Sequence, residues 1–177
     1  EIEYYEEFTK VIVFNPWATS PTPYEVYYLY KSDSLPENNR GEGIHLTIPI
    51  TTLAVNTFSY FEFISLLDES DVIIGVSDGF RVYNQTIINK LQSGEIINLG
   101  DPFNPSVEKT MVIRPQAIIS PAFAQLDSYS DRLVQSGFPV IYTIEWMENS
   151  PLARAEWIKM IAAFFDKREL GETIFSE

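Results

Sequence analysis

Gly75-Val76-Ser77-Asp78-Gly79 spells G-x-S-x-G directly after an apolar run. In that pattern a serine is held on a sharp strand-to-helix turn as a nucleophile. The chemistry then needs a histidine later in the chain to take the serine proton. The sole histidine, His45, comes earlier, in a run with strand alternation. The motif therefore reads more simply as a tight turn in which glycine supplies backbone freedom, and a small α/β hydrolase using Ser77 stays as an alternative reading. One histidine without any cysteine gives neither a metal site nor a thiolate nucleophile. Asp127-Ser128-Tyr129-Ser130-Asp131 starts like a calcium loop but lacks the central glycine and the closing glutamate. No glycine-rich dinucleotide or nucleotide-phosphate motif occurs.

What recurs instead is a series of loop stretches that combine rings with amide and charged groups. They are Asn56, Phe58 and Tyr60; Asp78, Phe80, Arg81 and Tyr83; Asp101, Phe103 and Asn104; Phe123 and Gln125; Glu145, Trp146 and Met147. Large rings with a few polar groups suit a bulky, mostly neutral ligand held by stacking and hydrogen bonds. The competing assignment tucks several of these rings under the loops as satellite core. Arg81 is placed either to meet a ligand carboxylate or to pair with Asp78.

The elements that must position these loops alternate in type. Residues 1–50 are β-rich, with runs at 10–14, 25–30 and 44–48, and are expected to form antiparallel strands packed at one edge. From Thr51 short apolar strands at 53–55, 72–76, 117–119 and 140–144, with a short extended run from Asn98 into the Asp101 turn, are separated by helical patterns. That alternation predicts a parallel sheet with right-handed crossovers, and puts every strand-exit loop on one edge. Ser59, Asn84, Ser106 and Ser150 stand where helix N-caps belong, and Gly94 and Gly137 where helices end. One buried helical face is expected from Phe63, Leu66 and Leu67, and another from Val107, Thr110 and Met111. A stripe of Leu152, Ala155, Ile158, Ala162 and Phe165 follows Pro151, and Asp166 with Glu169 is read as capping a last helix.

At 177 residues and 45% apolar, the chain can bury a core of its own. The formal net charge of −13 argues against nucleic acid as a partner, since phosphate binding needs a strong basic patch. No apolar run reaches the roughly 20 residues of a membrane span. The first residue is Glu1, which is compatible with a leader removed during maturation.

Several stretches, in order, resemble the substrate-binding proteins of ABC importers for iron–siderophores, haem and cobalamin, the class in which one rigid helix joins two lobes. They are residues 72–78 with their exit loop, Leu99-Gly100-Asp101-Pro102, Ser106-Val107-Glu108 ahead of residues 113–119, residues 137–141, and residues 150–158. The resemblance spans about residues 51–177. It implies an α/β three-layer lobe, a short parallel sheet flanked by helices, and the strand runs of residues 1–50 add an N-terminal antiparallel β extension before it. The boundaries expected are 1–50 for the extension, 51–165 for the lobe and 166–177 for the start of the inter-lobe helix. It implies a monomeric, non-enzymatic protein of the periplasm, lipid-anchored through a removed N-terminal segment. The implied ligand is a metal chelate (iron–siderophore, haem or cobalamin), with no resident cofactor. The loops that would touch it supply Asn56, Phe58, Asp78, Phe80, Arg81, Tyr83, Asp101, Phe103, Phe123, Gln125 and Trp146. Glu108 matches the family's exposed glutamate, which docks on an arginine of the inner-membrane permease. Two departures stand out: residues 1–50 are extra, and a second lobe is missing, as expected of a fragment of a longer protein. A protein-interaction module using the N-terminal strands as an edge is the third reading.

Overall fold

A computed structural model describes residues 1–31, 41–124 and 128–177, with the backbone alone at 128 and 129. Gln125 and Asp127 fall outside the described residues. The chain divides into two compact units, one of residues Glu1–Pro49 with Ile144–Glu177, the other of Ile50–Thr143.

In the first unit, β1 (Ile2–Tyr4), β2 (Phe8–Phe14), β3 (Pro23–Tyr30) and β4 (Ile44–Thr47) form a sheet in that order. Alternation along β2 and β3 buries Val11, Val13, Tyr27 and Leu29 on one face. Phe8, Tyr28 and Tyr30 line the other face with His45, whose ring stacks 4.8 Å from Tyr28. The β1–β2 and β2–β3 pairs are antiparallel, but β4 joins β3 in parallel, Tyr28 beside His45. The expectation of a wholly antiparallel extension is therefore corrected. The connection from Tyr30 to Ile44 is long enough for a parallel return, which needs about a dozen residues.

The second unit alternates strictly. It runs β5 (Leu53–Val55), α1 (Tyr60–Leu66), β6 (Ile73–Ser77), α2 (Gln85–Ser93), β7 (Ile97–Gly100), α3 (Val107–Ile113), β8 (Ala117–Pro121), α4 (Ser128–Gln135) and β9 (Val140–Thr143). All pairings are parallel, in the order β7-β6-β5-β8-β9. Every residue of β5 and β9 is buried, as a sheet covered on both faces requires. The chain moves outward from β5 to β7, then returns to lay down β8 and β9 on the other side. Right-handed crossovers therefore put α1 and α2 on one face and α3 and α4 on the other.

Caps set the helix starts. The Asn84 Oδ1 accepts from the Thr86 and Ile87 amides, and the Ser106 and Ser150 hydroxyls accept from Lys109 and Ala153. Ser59 makes no such bond, and α1 buries Tyr60, Phe61 and Ile64, followed by Leu67, while Leu66 is exposed. Met111 is likewise half exposed, leaving Thr110 as the fully buried residue of α3. Gly75 is where α3 meets the sheet, for a Cβ there would stand 2.6 Å from the Ile113 Cδ1.

The chain ends in the first unit with α5 (Pro151–Ala155), α6 (Trp157–Phe164) and α7 (Arg168–Ser176). The expected single stripe breaks at Glu156, so Leu152 is exposed while α6 is buried from Met160 to Phe164. Phe164 meets the sheet edge-on at Tyr27, with centroids 5.4 Å apart. Asp166 does not cap α7; it takes a left-handed φ of 54° and pairs with Lys31 at 2.7 Å. The α6–α7 contact is set by Gly171, where an added Cβ would lie 2.6 Å from the Ala162 Cβ. Alanine is the better helix former by about 1 kcal/mol. Here overpacking two backbones, typically about 1–3 kcal/mol, outweighs that gain. Gly171→Ala is expected to lower the urea midpoint; an unchanged or raised midpoint would show that α6 and α7 separate freely.

Candidate functional site

Parallel pairing sends the carboxyl ends of β5, β6, β7 and β8 to one edge of the second unit. The strand order reverses between β5 and β8, and in open α/β sheets ligands bind at that switch point. The predicted loops of this unit therefore do share an edge, and they differ in depth.

Asn56 and Ser77, at the ends of β5 and β6, form the floor. Both are buried, and the Ser77 hydroxyl donates to the Asn56 Oδ1 at 2.8 Å. The Asn56 amide donates to the Ile119 carbonyl, which ties β5 to β8. A nucleophile elbow must present its serine, and Ser77 is 0% exposed with its hydrogen committed. His45 sits on β4 of the other unit. The G-x-S-x-G pattern is thus accounted for by packing at Gly75, a structural hydrogen bond at Ser77 and a turn whose left-handed residue is Asp78, which corrects the expectation that a glycine of the motif supplies the backbone freedom.

Asp78 follows with a left-handed φ of 58°, and its amide donates to the Gly100 carbonyl, linking the exits of β6 and β7. Its side chain is 1% exposed and its carboxylate accepts no hydrogen bond. The Arg81 Nε lies 3.2 Å from the Asp78 Oδ2 and supplies the countercharge. A buried carboxylate without a partner would be costly, so the two residues form one device. The Arg81 guanidinium also lies 5.5 Å from the Phe58 ring and 5.4 Å from the Phe80 ring. Each such contact contributes about 0.5–1 kcal/mol at an exposed site. A half-exposed cation is thereby held between two rings from adjacent loops.

Phe80, Tyr83 and Phe103 stand out further, at 78%, 86% and 77% exposed. Asp101 is exposed, and its Oδ1 accepts from the Phe103 amide at 2.7 Å and shapes the turn. The Arg132 Nη2 donates to the Asn104 Oδ1 at 3.3 Å. Phe123 is half-buried after β8, and Tyr60 is fully buried as core. Trp146 and the buried Glu145 follow β9 in the chain but belong to the first unit. There Trp146 packs on Trp17 at 6.3 Å, and Trp17 on Tyr24 at 5.9 Å. The Trp17 and Tyr24 partners were not singled out from sequence, although Asn15-Pro16-Trp17 already marked a turn bearing a large ring.

Glu108 occupies the first turn of α3 and is exposed. Its own backbone amide and the Ser106 hydroxyl donate to its carboxylate, and the charge of Arg132 adds to them. Together they hold its pKa below the ordinary glutamate value. Val112, at 81% exposed, and Met111 extend the exposed surface of this short helix. Among the described residues no group of three acidic, histidine or cysteine side chains could hold a metal ion. No described helix is long and apolar enough to cross a membrane.

No family model matches the chain. A curated relative, an uncharacterised lipoprotein of Methanocaldococcus jannaschii, is 25% identical over 193 residues, covering 98% of this chain and 46% of the relative. Among solved structures, a periplasmic haem-binding protein from Pseudomonas aeruginosa superposes with a TM-score of 0.59 at 15% identity, over 72% of this chain and 42% of its own. A petrobactin-binding protein from Bacillus subtilis gives 0.58 at 16% identity, over 74% and 44%. The periplasmic vitamin B12-binding protein of Vibrio cholerae gives 0.53 at 14%, over 72% and 46%. The chain spans less than half the length of each of these proteins, and within that span it carries the fold of the periplasmic haem-, siderophore- and vitamin B12-binding proteins.

Proposed function

We propose that this chain is part of a solute-binding protein that captures a metal chelate outside the inner membrane and hands it to an ABC permease. The observation that carries the reading is the Asp78–Arg81 device. It fixes a cation between Phe58 and Phe80, on loops next to the switch point of a parallel sheet. A chelate with an aromatic or apolar body and peripheral anionic oxygens matches that chemistry, with stacking on the rings and a charge-assisted bond to Arg81. Siderophore, haem and cobalamin are the candidate ligands, since these are what the structural neighbours carry in their names. Asn56 and Asp78 act from beneath, as positioning residues. Phe103 and Tyr83 extend the aromatic rim, and Phe123 lies on the far side of the switch point. Asp101 holds the β7 exit turn that presents Phe103. A periplasmic or extracellular location, with a lipid anchor like that named for the archaeal relative, fits this role.

The test begins with native mass spectrometry of the intact protein from its host, which should reveal a co-purified chelate. With that chelate in hand, Arg81→Gln should weaken binding about tenfold to a hundredfold, the range expected when one charged hydrogen bond is lost. Unchanged affinity would remove Arg81 from the site.

Glu108 and the exposed Met111 and Val112 support a second surface, for docking on the permease. Glu108→Ala in the intact protein should impair uptake while ligand affinity stays at its original value. Equal loss of both, or of neither, would refute the docking role.

A further inference from the structure

The first unit holds a concavity to which the second unit contributes no residue. Its volume is about 740 Å³, within the roughly 300–1,000 Å³ typical of small-molecule sites. Val11, Val13 and Ile144 with Met147, Trp157 and Met160 give it apolar walls, drawn from β2, the turn after β9, and α6. Its charged side chains are four carboxylates (Glu1, Glu148, Glu156 and Glu172) and one ammonium, Lys159.

Lys159 is already engaged. It lies 3.4 Å from Glu156, 3.0 Å from Glu172, and 4.1 Å from the Phe175 ring centroid. Glu148 accepts from the Trp157 indole at 3.1 Å, which fixes its carboxylate against the aromatic wall. Two further cations flank the groove: the Arg154 Nε donates to the Glu148 carbonyl at 3.2 Å, and Arg168 is spread over the Tyr4 ring at 3.7 Å. An apolar interior whose four carboxylates outnumber its one side-chain ammonium repels anions and rewards a positive headgroup on an apolar body. A second copy of the chain is a poor occupant, since each carries a formal charge of −13.

The geometry points to a second binding site in the first unit, one that takes an organic cation with an apolar body. It is independent of the chelate reading, because it uses none of the strand-exit residues of the second unit.

The experiment is calorimetric titration of the full chain with decyltrimethylammonium, against decyl sulfate and decyl maltoside as tail-matched controls, all below their micelle concentrations. Saturable binding of the cation alone is expected. Glu148→Gln keeps an acceptor for the Trp157 indole, and Glu156→Gln leaves Lys159 its bond to Glu172. Each should weaken the cation about threefold to fivefold, and the pair about tenfold or more, as expected for partly exposed charges. Ala153→Phe, which fills the groove from α5, should abolish binding while circular dichroism confirms the fold. Equal binding of all three headgroups, or indifference to these substitutions, would overturn the site. So would binding of a basic peptide with no saturable binding of the organic cation, in favour of a protein partner.

Discussion

Parallel pairing on both sides of β5 is the constraint from which the rest of the second unit follows. Parallel neighbours cannot be joined by a hairpin, so each strand must be followed by a helix that carries the chain back. Every carboxyl end then arrives at one edge, whatever the loops contain. The reversal of strand order beside β5 opens that edge at the β5–β8 boundary. The Ser77–Asn56 hydrogen bond and the Asn56–Ile119 backbone bond close the sheet beneath it. A buried network of this kind holds position only while each member is satisfied, which is why the floor polar groups bond to one another.

The electrostatics of the edge run against those of the chain. The protein is strongly acidic, yet the charge fixed beside Phe58 and Phe80 is the cation Arg81. Burying Asp78 at the start of the turn creates a demand for a countercharge, and Arg81, three residues on, meets it through Nε. Phe58 and Phe80 then limit where the guanidinium can go. A local negative charge placed below the surface is thus converted into a positive group at the surface. Net charge said nothing of this, since it averages over side chains that never meet.

Much of the fold was legible because it rests on short-range rules. Apolar runs of three to five residues between helical patterns gave the parallel sheet, and Asn84, Ser106 and Ser150 gave helix starts through hydrogen bonds within three residues. The misses are long-range. The parallel seat of β4 beside β3 depends on the path of a connection, which no local pattern records. Of the face expected at Phe63, Leu66 and Leu67, Leu67 is fully buried, but α1 itself buries Tyr60, Phe61 and Ile64, because a short helix offers several apolar stripes and the sheet selects one. Asp166 resembled a cap, but a partner far back in the chain, Lys31, claimed it. At the site, the sequence located the loops and the Asp78–Arg81 pair. It could not rank the side chains by depth, so Asn56, Asp78 and Phe80 looked equivalent until burial separated floor from rim.

That separation gives the rim its meaning. Single exposed hydrophobic residues are ordinary on a protein surface. Here Phe80, Tyr83 and Phe103 are each more than three-quarters exposed and lie on consecutive strand exits of one sheet edge. Folding stability does not explain them, since side chains left in water contribute almost nothing to the core. The turns that hold them are nonetheless closely specified, by a left-handed Asp78, by the Asp101 side chain accepting from the Phe103 amide, and by the Asp78 amide bonded to Gly100. Ordered backbone beneath solvated rings is the arrangement expected where ring surface is reserved for something other than the chain itself. On the proposed reading, loops preorganised in this way would spare a ligand the entropy of ordering them, a conformational cost met at folding.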